Sequence, residues 1–244
     1  MGFLDKIRAS REEKKITPIS LEKQQKLTLQ KEEVHKISLS KTPLNGLKAR
    51  VVYAIDFSGS MRNNFNNGVV QASLEAMFPL AMEFDDDGQM EVWLFDDSYR
   101  RLPAVNMNNI EGYIEREVIS NKWHMGGTKY APIMSDITRV CVEANVRDVK
   151  MPTFVIFITD GSNDDKAATK KIIKDASYSP IFWKFVGIGG GEFPFLEKLD
   201  DLTDRNVDNA DYFPVIKPSD ITYQQLLEEF PEWLENEKVK AMLR

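Results

Sequence analysis

The sequence contains one cysteine, Cys141, and only two histidines. A single cysteine excludes an internal disulfide framework and is typical of a reducing compartment. So few thiols and imidazoles also make a zinc site difficult to assemble. No apolar stretch is long enough to span a bilayer, and the apolar segment near the start is too short for a secretory signal. We therefore expect a soluble, cytoplasmic protein.

Positive charge is outnumbered by negative charge after the first fifth of the chain. The net charge is only −6 because the first fifth is basic. Residues 1–50 carry 12 Lys and Arg against 6 Asp and Glu, and the remainder carries 20 against 32. Because phosphate binding needs clustered cations, we do not expect the acidic part to bind nucleic acid. The basic head is either a solvated lead-in or a segment that docks on an acidic surface.

Alternating triplets occur in the basic segment between residues 16 and 42. Each has the pattern apolar–polar–apolar, and the three are Ile19-Ser20-Leu21, Leu27-Thr28-Leu29 and Ile37-Ser38-Leu39. This alternation predicts short strands with one buried face. We therefore divide the chain into an N-terminal extension, 1–46, with strand-like segments, and a main domain, 47–244. Within the extension, the spacing of apolar residues also permits a short amphipathic helix over residues 1–15.

The main domain alternates apolar runs with helical patterns. The runs predicted as strands are 49–56, 90–96, 152–160, 180–189 and 210–216. The predicted helices are 68–84, 109–118, 130–145, 164–177 and 219–243, the last interrupted at Pro231. Strands that are apolar on both faces and alternate with helices predict an α/β fold with a doubly wound, mainly parallel sheet. Pro214 predicts an edge position for the last strand, because proline cannot donate to a ladder.

Polar side chains follow two of the predicted strands at the point where each strand ends. Asp56, Ser58 and Ser60 lie in "DFSGSM", and Asp160 lies in "TDGS". Thr128 lies between them in the glycine-rich stretch "HMGGTKYAP". In doubly wound sheets, binding sites collect at the carboxyl ends of the strands. Carboxylates and hydroxyls are hard oxygen donors, so the pattern favours Mg²⁺, Mn²⁺ or Ca²⁺ over zinc.

These five residues, in this order, resemble the metal-ion-dependent adhesion site (MIDAS) of von Willebrand factor A (vWA) domains. The resemblance covers residues 49 to about 217 and carries over to Asp56, Ser58, Ser60, Thr128 and Asp160. It implies that the hydroxyls coordinate a cation, that the acids act directly or through water, and that an acidic residue of a partner completes the site. It also implies a non-enzymatic protein-interaction module, with Mg²⁺ as the expected ion.

A narrower resemblance links the chain to bacterial stress-response clusters. "EFDDDGQMEVWLFDD" followed by "GGTKYAPIM" resembles the vWA proteins of tellurium-resistance (Ter) clusters. The triplet pattern resembles the opening of the companion Ter domain family over some twenty residues. This resemblance implies a role in tellurium resistance or stress response, with other proteins of such a cluster as partners.

Two other functions remain open at this point. A metal-dependent phosphohydrolase would also place an aspartate at a strand end, but it needs a second acid where Ser58 stands. A structural scaffold would use the cation only to stabilise loops.

Four further features of the sequence have ordinary interpretations. "FDDDG" at 84–88 lacks the later acids of an EF-hand loop, so we expect an acidic turn. "GIGGGEF" at 187–193 has Glu192 where a dinucleotide fingerprint needs glycine, and we expect its glycines to let a strand end approach the metal loop. His124 either lines the rim of the site or is an ordinary loop residue. Gly126 and Gly127 are expected to allow a close backbone approach or a positive φ.

Overall fold

A computed structural model describes residues 18–244. Six strands form one sheet in the order β3-β2-β1-β4-β5-β6, in which every neighbouring pair is parallel except β2 and β3. The strands are β1 (Arg50–Asp56), β2 (Met90–Phe95), β3 (Tyr99–Val105), β4 (Thr153–Thr159), β5 (Ile181–Ile188) and β6 (Ala210–Val215). The predicted doubly wound α/β fold is confirmed.

Helices cover both faces of the sheet. The longer ones are α1 (Leu21–Ser40), α3 (Val69–Phe84), α5 (Ala131–Arg147) and α6 (Lys166–Ala176). The shorter ones are α2 (Arg62–Asn66), α4 (Tyr113–Glu117), α7 (Pro194–Asp200), α8 (Tyr223–Leu226), α9 (Phe230–Glu235) and α10 (Glu237–Met242). In the described part of the chain, no helix is long and apolar enough to cross a membrane.

Burial on both faces explains why the central strands are continuously apolar. In β1, Val51, Tyr53 and Ile55 enter the core on one face of the sheet, whereas Val52 and Ala54 enter the core on the other. Successive side chains of a strand point to opposite faces, so a strand with helices above and below has no polar side. This burial fixes the register that brings Asp56 to the strand end.

The two edge strands contain the prolines that an edge permits. Pro214 lies in β6, as predicted, and Pro103 lies in β3. The sequence analysis missed β3. Its residues alternate between exposed and partly buried, and two arginines, Arg100 and Arg101, interrupt its apolar pattern.

The predicted strands in the extension are wrong, because residues 21–40 form the helix α1. Only one apolar residue of each triplet contacts the core. Leu27 is buried while Leu29 is exposed, and Ile37 packs against the core while Leu39 is exposed. A helix turns two residues by about 200°, so it separates side chains that a strand would place on one face. The helix also contains many good helix formers and is capped by Ser20 Oγ, which accepts from the backbone N–H of Lys23. The predicted helix over 1–15 lies outside the described residues.

Candidate metal centre

Asp56 lies at the switch in strand order, where β1 has β2 on one side and β4 on the other. Its side chain is fully buried, and both oxygens accept hydrogen bonds. Oδ1 accepts from the Ser58 backbone N–H at 2.8 Å, and Oδ2 accepts from Thr159 Oγ1 at 2.7 Å. Burial, with a smaller contribution from the charge of Asp160, raises the pKa of Asp56 to about 7 against the opposite effect of these hydrogen bonds. A cation beside this carboxylate would therefore favour its ionised form.

The two serines follow Asp56 in a tight turn. Ser58 and Ser60 have their hydroxyl oxygens 3.1 Å apart, and Ser58 is buried whereas Ser60 is exposed. The turn then forms a 3₁₀ helix over Gly59–Met61. Two neighbouring hydroxyls, one buried and one open, therefore lie beside the Asp56 carboxylate.

Thr128 belongs to a loop that lies against the serine turn. Ser58 forms an isolated parallel bridge with Gly126, and the Gly59 backbone N–H donates to the Gly126 carbonyl at 3.0 Å. Thr128, two residues further on, is buried. The glycines do not adopt a positive φ. A Cβ at Gly126 would lie 2.7 Å from Asp97 Oδ2, so this position needs glycine for close approach.

Asp160 follows the last residue of β4 and is partly exposed. The pairing of β1 with β4 brings its loop beside Asp56, and the two carboxylates repel one another strongly enough to affect the pKa of Asp56. The structure therefore places all five predicted residues on three adjacent loops at one edge of the sheet. Their role as metal ligands remains a prediction.

The residues present suit a hard divalent cation. They offer two carboxylates and three hydroxyls, and the acid nearest the sheet is fully buried. A buried carboxylate without a counter-charge is costly, so a cation at this place would offset its burial. His124 is exposed, and Cys141 is buried away from the loops in α5, so neither changes this donor set.

Two hydroxyls that the sequence analysis missed support the Asp56 carboxylate. Thr159 Oγ1 donates to Asp56, lies 2.8 Å from the Tyr130 hydroxyl and accepts from the Gly161 backbone N–H at 3.0 Å. The position of Thr159 directly before Asp160 was a usable signal, because it ends a strand adjacent to β1.

The acidic turn after α3 lies at the other end of the sheet. Asp85 Oδ2 accepts from the Val51 backbone N–H at 3.2 Å, and Asp87 Oδ1 accepts from Gln89 at 2.9 Å. Gly88 provides the positive φ that closes the turn. Its carboxylates thus bond the backbone, in agreement with the predicted turn.

Phe193 packs the Asp160 loop onto the end of β5. A Cβ at Gly187 would lie 2.8 Å from one side of the ring, and a Cβ at Gly161 would overlap the other side. These glycines let the aromatic ring fill the space between strand end and loop. Gly189 instead provides a positive φ.

Gly161→Ala is expected to destabilise the protein by about 2–3 kcal/mol, because it combines a positive φ with overlap on Phe193. Gly88→Ala is the matched control. Its φ is also positive, but nothing lies within 4 Å of the added methyl group, so we expect a loss of about 1 kcal/mol. Urea denaturation of both variants measures the difference. Equal losses would contradict the packing role of Phe193.

Comparison with known proteins agrees with this architecture. A family model described as the vWA domain found in the TerF C terminus matches residues 48–243. The uncharacterized protein YcbR of Bacillus subtilis is 39% identical over 224 residues, which are 89% of this chain and 90% of that protein.

Solved structures share the fold at lower identity. Proximal thread matrix protein 1 of the mussel byssus, with a zinc-occupied MIDAS motif, gives a TM-score of 0.54 at 16% identity. The match covers 81% of this chain and 47% of that one, so this chain spans less than half of the mussel protein. The manganese-loaded TRAP protein of Plasmodium vivax gives 0.50 at 16% identity, covering 79% and 73%.

The fold is that of the vWA domains, an α/β class in which one sheet is covered by helices on both faces. Within that class, the chain belongs to the vWA-TerF-like family.

Proposed function

We propose that this protein is a non-enzymatic, metal-dependent interaction module, in which Asp56, Ser58, Ser60, Thr128 and Asp160 hold a divalent cation. The observation that supports this most is the fully buried Asp56 carboxylate, surrounded by hydroxyls and one further acid at the switch point of the sheet. Mg²⁺ is the expected ion, with Mn²⁺ and Ca²⁺ as alternatives, because every donor is a hard oxygen. When bound, the cation supplies a positive centre for an anionic oxygen of a partner.

The residues of this chain prepare the site for such a partner. Asp56 and Asp160 neutralise a divalent ion without surplus negative charge, so a further carboxylate remains attractive. Ser58 occupies the position where a phosphohydrolase would need its second acid. Relatives with zinc and manganese support the class of ion but not the particular one. The family description supports a place in a tellurium-resistance or stress-response assembly, with other proteins of that system as partners.

Calorimetric titration of the chelator-treated protein with Mg²⁺ tests the proposal. We expect one saturable site, with affinity lowered at least about tenfold in Thr128→Val, since even outer-shell partners of metals contribute this much. Thr138→Val in α5 is the control, because Thr138 Oγ1 is buried and makes no hydrogen bond. An absence of binding, or equal affinity in Thr128→Val, would contradict a cation site that uses this hydroxyl.

The interaction function needs a second readout. Peptide pairs that differ only by Glu or Gln should bind with a preference for Glu in the presence of Mg²⁺, and the preference should vanish with chelator. A cation that raises the melting temperature without any effect on acidic peptides would favour the scaffold function instead.

A further inference from the structure

Five consecutive backbone N–H groups, from residue 127 to residue 131, donate to aspartates of neighbouring loops. Gly127 donates to Asp97 Oδ2 at 2.7 Å, and Thr128 donates to Asp164 Oδ2 at 2.8 Å. The next three donate to the Asp96 carbonyl and the two oxygens of Asp165. We propose that Asp97 and Asp164 are positioning residues, which hold Thr128 in place for the cation site proposed above and set its affinity.

Asp97 holds the loop from the side of β2. Its carboxylate follows the strand end and lies so close to the loop that a Cβ at Gly127 would approach Asp97 Oδ1 to 2.9 Å. Lys129 Nζ lies 3.6 Å from the same oxygen. The two glycines before Thr128 therefore have a specific role, because any side chain there would displace the carboxylate that binds the loop.

Asp164 links the Thr128 loop to the Asp160 loop. The two residues bond reciprocally, since the Asp164 backbone N–H donates to the Thr128 carbonyl at 2.7 Å while Asp164 Oδ2 accepts from the Thr128 N–H. Asp164 lies four residues after Asp160. The loops that contain Thr128 and Asp160 are thereby connected through Asp164, which bonds Thr128 with both its side chain and its backbone.

Asp165 fixes the end of the loop where α5 begins. Its two oxygens accept from the N–H groups of Tyr130 and Ala131, both at 3.0 Å, and its Oδ1 also accepts from Asn163 and Thr169. Because Asp165 caps a helix and is itself held by α6, its substitution would disturb the fold. Asp97 and Asp164 are the better variants.

Conformational entropy gives these hydrogen bonds an energetic role. A loop with two adjacent glycines loses much conformational entropy when it is ordered. Hydrogen bonds from backbone N–H groups to carboxylates are stronger than neutral ones, and here they fix Gly127 and Thr128 directly. Without them, Thr128 would have to be ordered by the cation itself, and binding would weaken.

Asp164→Ala and Asp164→Asn separate positioning from charge. In the metal-free protein, the alanine variant should exchange the Thr128 amide hydrogen at least about tenfold faster, because that N–H loses its charge-assisted hydrogen bond. Mg²⁺ affinity should fall about 10- to 100-fold. The asparagine variant keeps an acceptor but loses the charge, so it should restore most of both properties. Asp97→Ala should accelerate exchange of the Gly127 amide instead and lower the Mg²⁺ affinity in the same way.

The controls make the outcomes distinct. Asp86→Ala removes an exposed charge at the opposite end of the sheet and should change neither readout. The amide of Ile156 in β4 reports whether the variants remain folded. Two results would contradict a positioning role for Asp164. One is rapid exchange of the loop amides in the unsubstituted protein. The other is an asparagine variant whose loop amides are protected but whose Mg²⁺ affinity is as low as that of the alanine variant. A third result separates the two proposals. If Asp164→Ala accelerates exchange of protected loop amides but the unsubstituted protein binds no Mg²⁺, Asp164 holds the loop and the cation site is rejected.

Discussion

Replacing Asp56 by asparagine is expected to stabilise the metal-free protein above pH 7 and to abolish its stabilisation by Mg²⁺. Burial raises the pKa of Asp56 from 3.8 to about 7 in the folded protein. Between these values the folded state binds more protons than the unfolded state, so stability falls as the pH rises. The stability that protonated Asp56 provides is fully present below about pH 4 and is lost by pH 8. This loss lowers the free energy of unfolding by at most about 4 kcal/mol.

Asparagine removes this loss because it has no charge to bury. Its oxygen still accepts from the Ser58 N–H, and Thr159 can reorient its hydroxyl between the side chain and Tyr130. In the unsubstituted protein, a cation favours the ionised carboxylate and should restore stability at pH 8 more than at pH 5. The asparagine variant should show neither the pH-dependent loss nor the recovery.

Denaturation in urea at pH 5 and pH 8, with chelator or with Mg²⁺, measures both effects. Other acids with raised pKa values, such as the partly buried Asp85 and Asp200, add to the pH dependence of the whole protein, so the difference between variants is the informative quantity. Asp148→Asn, an exposed aspartate at the end of α5, is the control. If the two proteins lose the same stability between pH 5 and pH 8, the buried ionisation of Asp56 does not occur.

The sequence could predict the central sheet and the five residues at its edge because both depend on local patterns. Strands such as β1 and β4 are continuously apolar, and a short polar motif follows each of them directly. Parallel strands bring these motifs to one edge without any knowledge of side-chain contacts. Asp56 and Asp160 are thus placed together by topology alone.

Interactions between distant residues could not be predicted in this way. The contacts of Asp97 and Asp164 with the Thr128 loop join residues 30 and 36 positions apart, and nothing in "FDD" or "SNDD" indicates that partner. The helix α1 was missed for another reason. Its alternating triplets suited a strand, whereas packing against α3 selected the helical period that buries Leu27 and Val34.

The sequence pattern also gave no sign of a buried ion pair in β5, which is apolar except for Lys184 at its centre. Lys184 is fully buried and forms an ion pair with Asp211, its direct neighbour on β6. Asp211 also clusters with Asp200 and Glu229. One carboxylate oxygen from each of these three acids lies within 4.8 Å of the other two. Burial raises the pKa of Asp200 to about 6 and that of Glu229 to about 7. Lys184 and Arg205 are therefore the cations that act on this group of acids.

Lys184→Met is expected to destabilise the protein by about 3–5 kcal/mol at pH 8, the cost of leaving a buried charge unpaired. The loss should be smaller at pH 5. Removing Lys184 raises the folded-state pKa of Asp211 and Glu229 further, so their protonation relieves the repulsion as the pH falls. Thermal and urea denaturation at the two pH values measure this difference.

The double variant Lys184→Met/Asp211→Leu distinguishes an unpaired charge from lost packing. A hydrophobic pair of similar volume often replaces a buried ion pair without loss, so the second substitution should recover most of the stability at pH 8. If the double variant is as unstable as Lys184→Met, the lysine contributes through other contacts. These are its packed methylene chain and its Nζ, which lies 5.0 Å from the centre of the Phe213 ring. If the single variant loses the same stability at both pH values, the acids around it are not coupled to its charge.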